Sequence, residues 1–168
     1  MVNVDLESYR KNGYLIFEKF FPENTIQKVL WDAKNVFLKI IHQKGIASRS
    51  LEDMSEAEFN EALYKLFEVD LNSLINCGKQ AQHIISLHRL SLDQKIEDLL
   101  ITVGLKRPSI STRPVLYFNH SRLAQKKVFY KVDAHQDWRS MQGSLNSVVI
   151  WAPLVTIDKD LGALEVLP

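Results

Sequence analysis

Residues 134–154 read AHQDWRSMQGSLNSVVIWAPL. A histidine and an aspartate two positions apart share a face where the chain is extended, because successive strand side chains alternate between faces. On a strand, His135 and Asp137 point together and Gln136 points away. The run NSVVIWAPL that follows is rich in β-branched and aromatic residues, the composition of a half-buried strand. The same character holds in STRPVLYFNH (111–120), KVFYKVDAHQDW (127–138) and GALEVLP (162–168), with polar or glycine-containing turns between them. Strands are therefore expected at 113–119, 128–135, 146–154 and 163–167.

Upstream, the period changes. After a short helix at the start of residues 5–21 and a turn at Asn12-Gly13, YLIFEKFF (14–21) reads as a strand. Apolar residues then recur with helical spacing at Ile26, Val29, Leu30, Ala33, Val36, Phe37, Ile40 and Ile41, with Asn24 or Thr25 as cap and Gly45 as stop. Ser55 with Glu58 forms a capping box before Phe59, Leu63, Leu66 and Phe67. A third helix is expected from about Leu71 to His88, with Leu74, Ile75, Gly78, Ala81 and Ile85 inward. A fourth starts at Ser91, with Gln94 completing a second capping box. It buries Leu92, Ile96, Leu99, Leu100 and Val103 and stops at Gly104. Helices followed by strands predict an α+β layout with an antiparallel sheet and no βαβ alternation. Residues 1–168 read as a single domain, with the strand and helices of 1–111 preceding the strand-rich 112–168.

Of the 168 residues, 46% are hydrophobic and 24% charged, enough apolar material for one packed core. A net charge of +1 favours neither nucleic acid nor an anionic membrane as partner, and no apolar run reaches bilayer length. One cysteine, Cys77, excludes a disulfide framework and points to a reducing, cytoplasmic setting, with the thiol packed as a small apolar group. The amino terminus lacks the basic start and apolar run of a signal peptide. There is no phosphate-binding glycine loop, no G-x-S-x-G elbow and no paired-cysteine zinc spacing.

Two histidines and one carboxylate on one triangular face hold Fe(II) and leave positions open for a chelating co-substrate and dioxygen. His135 and Asp137 are two-thirds of that set; spacing alone favours instead an Asp–His pair sharing a hydrogen bond. His83 and His88, five apart on one helix, fall on different faces. His42 sits at a helix end, where an imidazolium suits the dipole. His120 reads as a loop or surface residue. The cluster Arg122, Lys126, Lys127 and Lys131 reads as a solvated loop, or as an attractor of an anionic substrate.

HQDW (135–138), GSLN (143–146), VVIWAPL (148–154) and GALEVLP (162–168) together resemble the phytanoyl-CoA dioxygenase family of Fe(II)/2-oxoglutarate-dependent oxygenases. YRKNGYLIFEKFFPENTIQKV (9–29) is similar to the opening of that family. The resemblance covers about residues 5–40 and 113–168. It implies a double-stranded β-helix, a cupin-like jelly roll with an N-terminal helical layer, of which 112–168 would be the first part. It implies His135 and Asp137 as catalytic iron ligands, Fe(II) as metal and 2-oxoglutarate as co-substrate. The reaction implied is hydroxylation of a small organic molecule, with succinate and CO2 as co-products. Trp151 would border the co-substrate, or else be a core tryptophan. Asn119 would hydrogen-bond a co-substrate carboxylate, and Trp138 and Gln142 would rim the entrance. The family's second histidine and its 2-oxoglutarate-binding arginine follow the GALEVLP turn, so the roll is expected to be truncated at Pro168, with roughly half of about eight strands. Related halogenases lack the carboxylate; Asp137 fills that position and ranks halogenation below hydroxylation. The alternative is a non-catalytic jelly-roll module that binds a ligand or partner.

Overall fold

Before Gly104 the capping and periodicity signals become six helices. A computed structural model of the chain describes residues 4–118, 134–137, 146–159, 161 and 163–167. Helix α1 (Leu6–Asn12) starts where the Asp5 carboxylate accepts the Ser8 N–H at 2.9 Å, and ends at Gly13, whose φ of 80° is left-handed. Helix α2 (Glu23–Gln43) begins directly after Pro22, one residue before the expected Asn24 or Thr25 cap. Proline there has no N–H to leave unpaired. Helix α3 (Glu56–Val69) has the capping box in full: the Ser55 hydroxyl accepts from Glu58 N–H at 3.2 Å, and the Glu58 carboxylate accepts from Ser55 N–H at 2.7 Å. Helix α4 (Leu71–Ala81) is capped by Asp70, α5 is Ile85–Ser91, and α6 (Gln94–Thr102) is capped by Asp93.

Two further helix boundaries differ from expectation, for one reason. The helix expected over 71–88 breaks at residues 82–84. A straight helix would carry the stripe Leu74–Cys77–Ala81 on to Ile85 and His88. The break rotates the chain, so that Ser86, Leu87 and Leu90 face inward while Ile85 and Leu92 stand 68% and 65% exposed. Leu87 and Leu90 thereby reach Val29 of α2. Ser91 consequently ends α5 and spends its hydroxyl on the His88 carbonyl at 2.8 Å, and Asp93 takes over as the cap of α6 through the Lys95 N–H at 2.9 Å.

Helix α2 is the hub, packed against α3, α4 and α5. Phe37, Leu38 and Ile41 meet Phe59, Ala62 and Leu66 of α3 and Leu74, Cys77 and Ala81 of α4. Val29 meets Leu87 and Leu90 in a second cluster. Residues 113–118 run along these helices with a two-residue period: Leu116 and Phe118 turn inward, while Val115 and Tyr117 face out. The Phe118 ring lies 5.1 Å from that of Phe37 at 69°, edge to face. It also lies over Gly78, where an added Cβ would stand 3.0 Å from the Phe118 ring. Glycine at 78 is what lets the extended segment sit this close to α4.

The double-stranded β-helix and the α+β layout with a helical layer on a sheet are not what the described residues form. Half of those residues are helical, and none lies in a strand or bridge. The expected strand 14–21 is irregular, with a turn at residues 18–19, φ of 51° at Lys19, and Ile16 81% exposed. Residues 113–118 and 147–153 are outside regular structure, and no backbone hydrogen bond between described residues joins them. The physical reason is that β-propensity records how a side chain fits a pleated surface, and not where the ladder partner is. The helices bury their stripes against one another instead. Residues 119 and 128–133 of the expected strands lie outside the described residues. No described helix is long and apolar enough to cross a membrane.

Candidate metal centre

His135 and Asp137 do meet, though not on a strand. Two residues apart on a strand, their Cα atoms would stand about 6.6 Å apart with side chains parallel. Here residues 134–137 form a bend and a turn. His135 Nε2 and Asp137 Oδ1 converge to 3.0 Å, and the side chains keep 51% and 40% of their exposure. That distance suits a hydrogen bond. It equally suits two neighbouring positions around a metal ion: donors about 2.1 Å from a divalent ion and at right angles to each other stand about 3 Å apart.

The donor types, one imidazole nitrogen and one carboxylate oxygen, are ones that Fe(II) takes. Among the described residues no group of three or more His, Cys, Asp or Glu side chains gathers around a common point, so the pair contributes two donors. Trp151 is 45% exposed. Asn119 lies outside the described residues, as do His120, Trp138, Gln142 and the basic residues Arg122, Lys126, Lys127 and Lys131.

Several other polar groups have structural employment. His42 donates from Nε2 to the Arg49 carbonyl at 2.9 Å, and so ties the end of α2 to the following loop. His83 and His88 were expected on different faces; the break between α4 and α5 instead brings their rings to 6.5 Å and within 25° of parallel. Burial of Cys77 pushes its thiol up, away from the thiolate a nucleophile needs. The Lys44 ammonium, with the Ser73 N–H and hydroxyl, holds the Asp70 carboxyl well below the usual carboxylate range. For Asp32, burial raises the carboxyl, but Lys28 and Ser86 outweigh it and the balance is downward.

Lys34 belongs to no motif in the sequence. Its signal was available: Leu30, Lys34 and Leu38 form one i, i+4 row of α2, a lysine set among leucines. No protein-family model matches the chain, and no curated protein or solved structure matches it either.

Proposed function

We propose that His135 and Asp137 are two ligands of a mononuclear Fe(II) centre in an oxygenase that uses 2-oxoglutarate to hydroxylate a small organic molecule. The observation that carries this reading is the 3.0 Å convergence of an imidazole nitrogen and a carboxylate oxygen on side chains open to solvent. Bound iron would supply dioxygen activation coupled to decarboxylation of 2-oxoglutarate. The chain's own part is to hold the donors. His135 would offer its Nε2 nitrogen. Asp137 would offset part of the metal charge and would fill the position a halide needs, which favours hydroxylation over halogenation. Trp151 presents an exposed indole as an apolar surface for a bound organic molecule. Asn119 remains the candidate donor to a co-substrate carboxylate.

The test is an anaerobic Fe(II) titration of the full chain, followed by succinate release from 2-oxoglutarate in air. Asp137→Ala is expected to weaken Fe(II) binding by more than about tenfold and to abolish succinate release. Unchanged iron affinity in the variant sinks the assignment. A second reading, a non-catalytic ligand- or partner-binding module, draws on the same distance, since 3.0 Å is also an ordinary hydrogen bond. On that reading the native chain neither retains iron nor consumes 2-oxoglutarate.

A further inference from the structure

Lys34 is a largely buried cation. Its side chain is 16% exposed, its Nζ lies 5.3 Å from the centroid of the Phe59 ring, and it pairs with the Glu56 carboxylate, which is itself 72% exposed. Beside it opens a groove of about 420 Å³, between α2, the loop before α3 and the first turn of α3. Trp31, Leu51, Met54 and Phe59 make its apolar walls. That volume falls in the range of small-molecule sites, about 300–1,000 Å³, which pair apolar walls with a few placed polar groups.

We propose that this groove binds a small organic acid, with the carboxylate on Lys34 and an apolar body against Trp31 and Met54. An ammonium on a largely buried side chain gains from an anion beside it. Glu56 provides one, but it is a solvated side chain at the rim, and exposed ion pairs hold weakly. An incoming carboxylate can replace it on Lys34, releasing Glu56 to water without stranding a charge. A neutral molecule of the same shape fills the walls and gains no ion pair. An amine meets the Lys34 charge. The lining residues all lie between Asn24 and Phe59, so the site does not depend on the iron reading, and its readout is binding and not turnover.

Calorimetric titration of the full chain with 4-phenylbutyrate, and with 4-phenylbutanol as its neutral counterpart, tests the proposal. The acid is expected to bind about tenfold more tightly than the alcohol, the gain of a charge-assisted contact. Lys34→Met should remove that preference. Glu56→Gln, at an exposed position, should tighten the acid by about threefold, because the competing carboxylate is gone. The proposal is overturned if acid and alcohol bind alike, if the acid gives no heat at about 10 mM, or if Lys34→Met keeps the preference. Should Lys34→Met lose its helical circular dichroism, Glu56→Gln decides: an unchanged acid affinity overturns the proposal.

Discussion

Ile41, Leu66 and Leu74 are wholly buried between α2, α3 and α4, whereas Val149, Ile150 and Trp151 stand 57%, 42% and 45% exposed. The two regions carry similar apolar side chains. They differ in where the backbone finds its hydrogen bonds. A helix closes its own, from residue i to i−4, so each segment of 6–102 presents a finished apolar stripe that needs only another stripe to cover it. An extended segment closes none by itself and must borrow a neighbour's edge. In 113–118 the side-chain alternation is present, and Leu116 and Phe118 are docked on the helices. Alternation and docking thus arise without a ladder between described residues.

The strongest test of this contrast is truncation on each side of it. Leu66→Ala removes a side chain with no solvent exposure from the centre of the helical cluster and should cost about 2–5 kcal/mol. Ile150→Ala should cost less than about 0.5 kcal/mol. Urea unfolding followed by helical circular dichroism measures both. A cost at Ile150 as large as that at Leu66 breaks the comparison, because it would require a second core around residues 146–154.

Gly78→Ala sharpens it at the point where the regions touch. Alanine gains about 1 kcal/mol of helix propensity over glycine, but its Cβ would press on the Phe118 ring at 3.0 Å, and overpacking costs about 1–3 kcal/mol. We expect a net loss of about 1 kcal/mol in the native chain and a net gain once Phe118→Ala removes the ring. A gain in both backgrounds would show that 113–118 does not clamp α4. A smaller effect distinguishes the two sequence-expected caps. Ser55→Ala should cost about 1 kcal/mol, the usual loss for an N-cap. Ser91→Ala should cost only a few tenths, since Ser91 caps nothing and bonds a carbonyl behind it. Equal losses at the two sites would contradict the break at residues 82–84 and the shift of the cap to Asp93.

The smallest effect expected is a dependence on acid. The Asp70 carboxyl is lowered in the folded chain, first by Lys44 and then by Ser73. Between its folded value and the ordinary value of about 3.9 the unfolded chain binds the proton and the folded chain does not. The stability this group contributes is therefore complete above about pH 5 and is lost as pH falls below about 4. Asp70→Asn keeps a capping side chain and should flatten that slope. Urea midpoints of both proteins across about pH 5 to 2 test this; parallel slopes would assign the acid dependence elsewhere.

How much was legible follows the same division. The capping box at Ser55 and Glu58, the stripe of α2 and the stop at Gly13 are local signals, and each is realised where the residues stand. The contact of His135 with Asp137 was legible as a pair, but its geometry was assigned to a strand and arises from a turn. Trp31, Lys34 and Phe59 come from two helices separated in sequence, so no spacing rule could gather them around one groove; only the lysine among leucines hinted at it.

Residue order alone determined where most of the helical stretches lie, because caps, periodicity and left-handed glycines act within a few residues of one another. Tertiary structure alone decided the rest. It chose to break 71–88 so that Leu87 and Leu90 reach Val29, at the expense of exposing Ile85 and Leu92. It left the strand-like residues 113–118 lying on helices, because pairing depends on a partner distant in the chain. Hydrophobic period states which face of a segment seeks burial, and only the surrounding chain states against what.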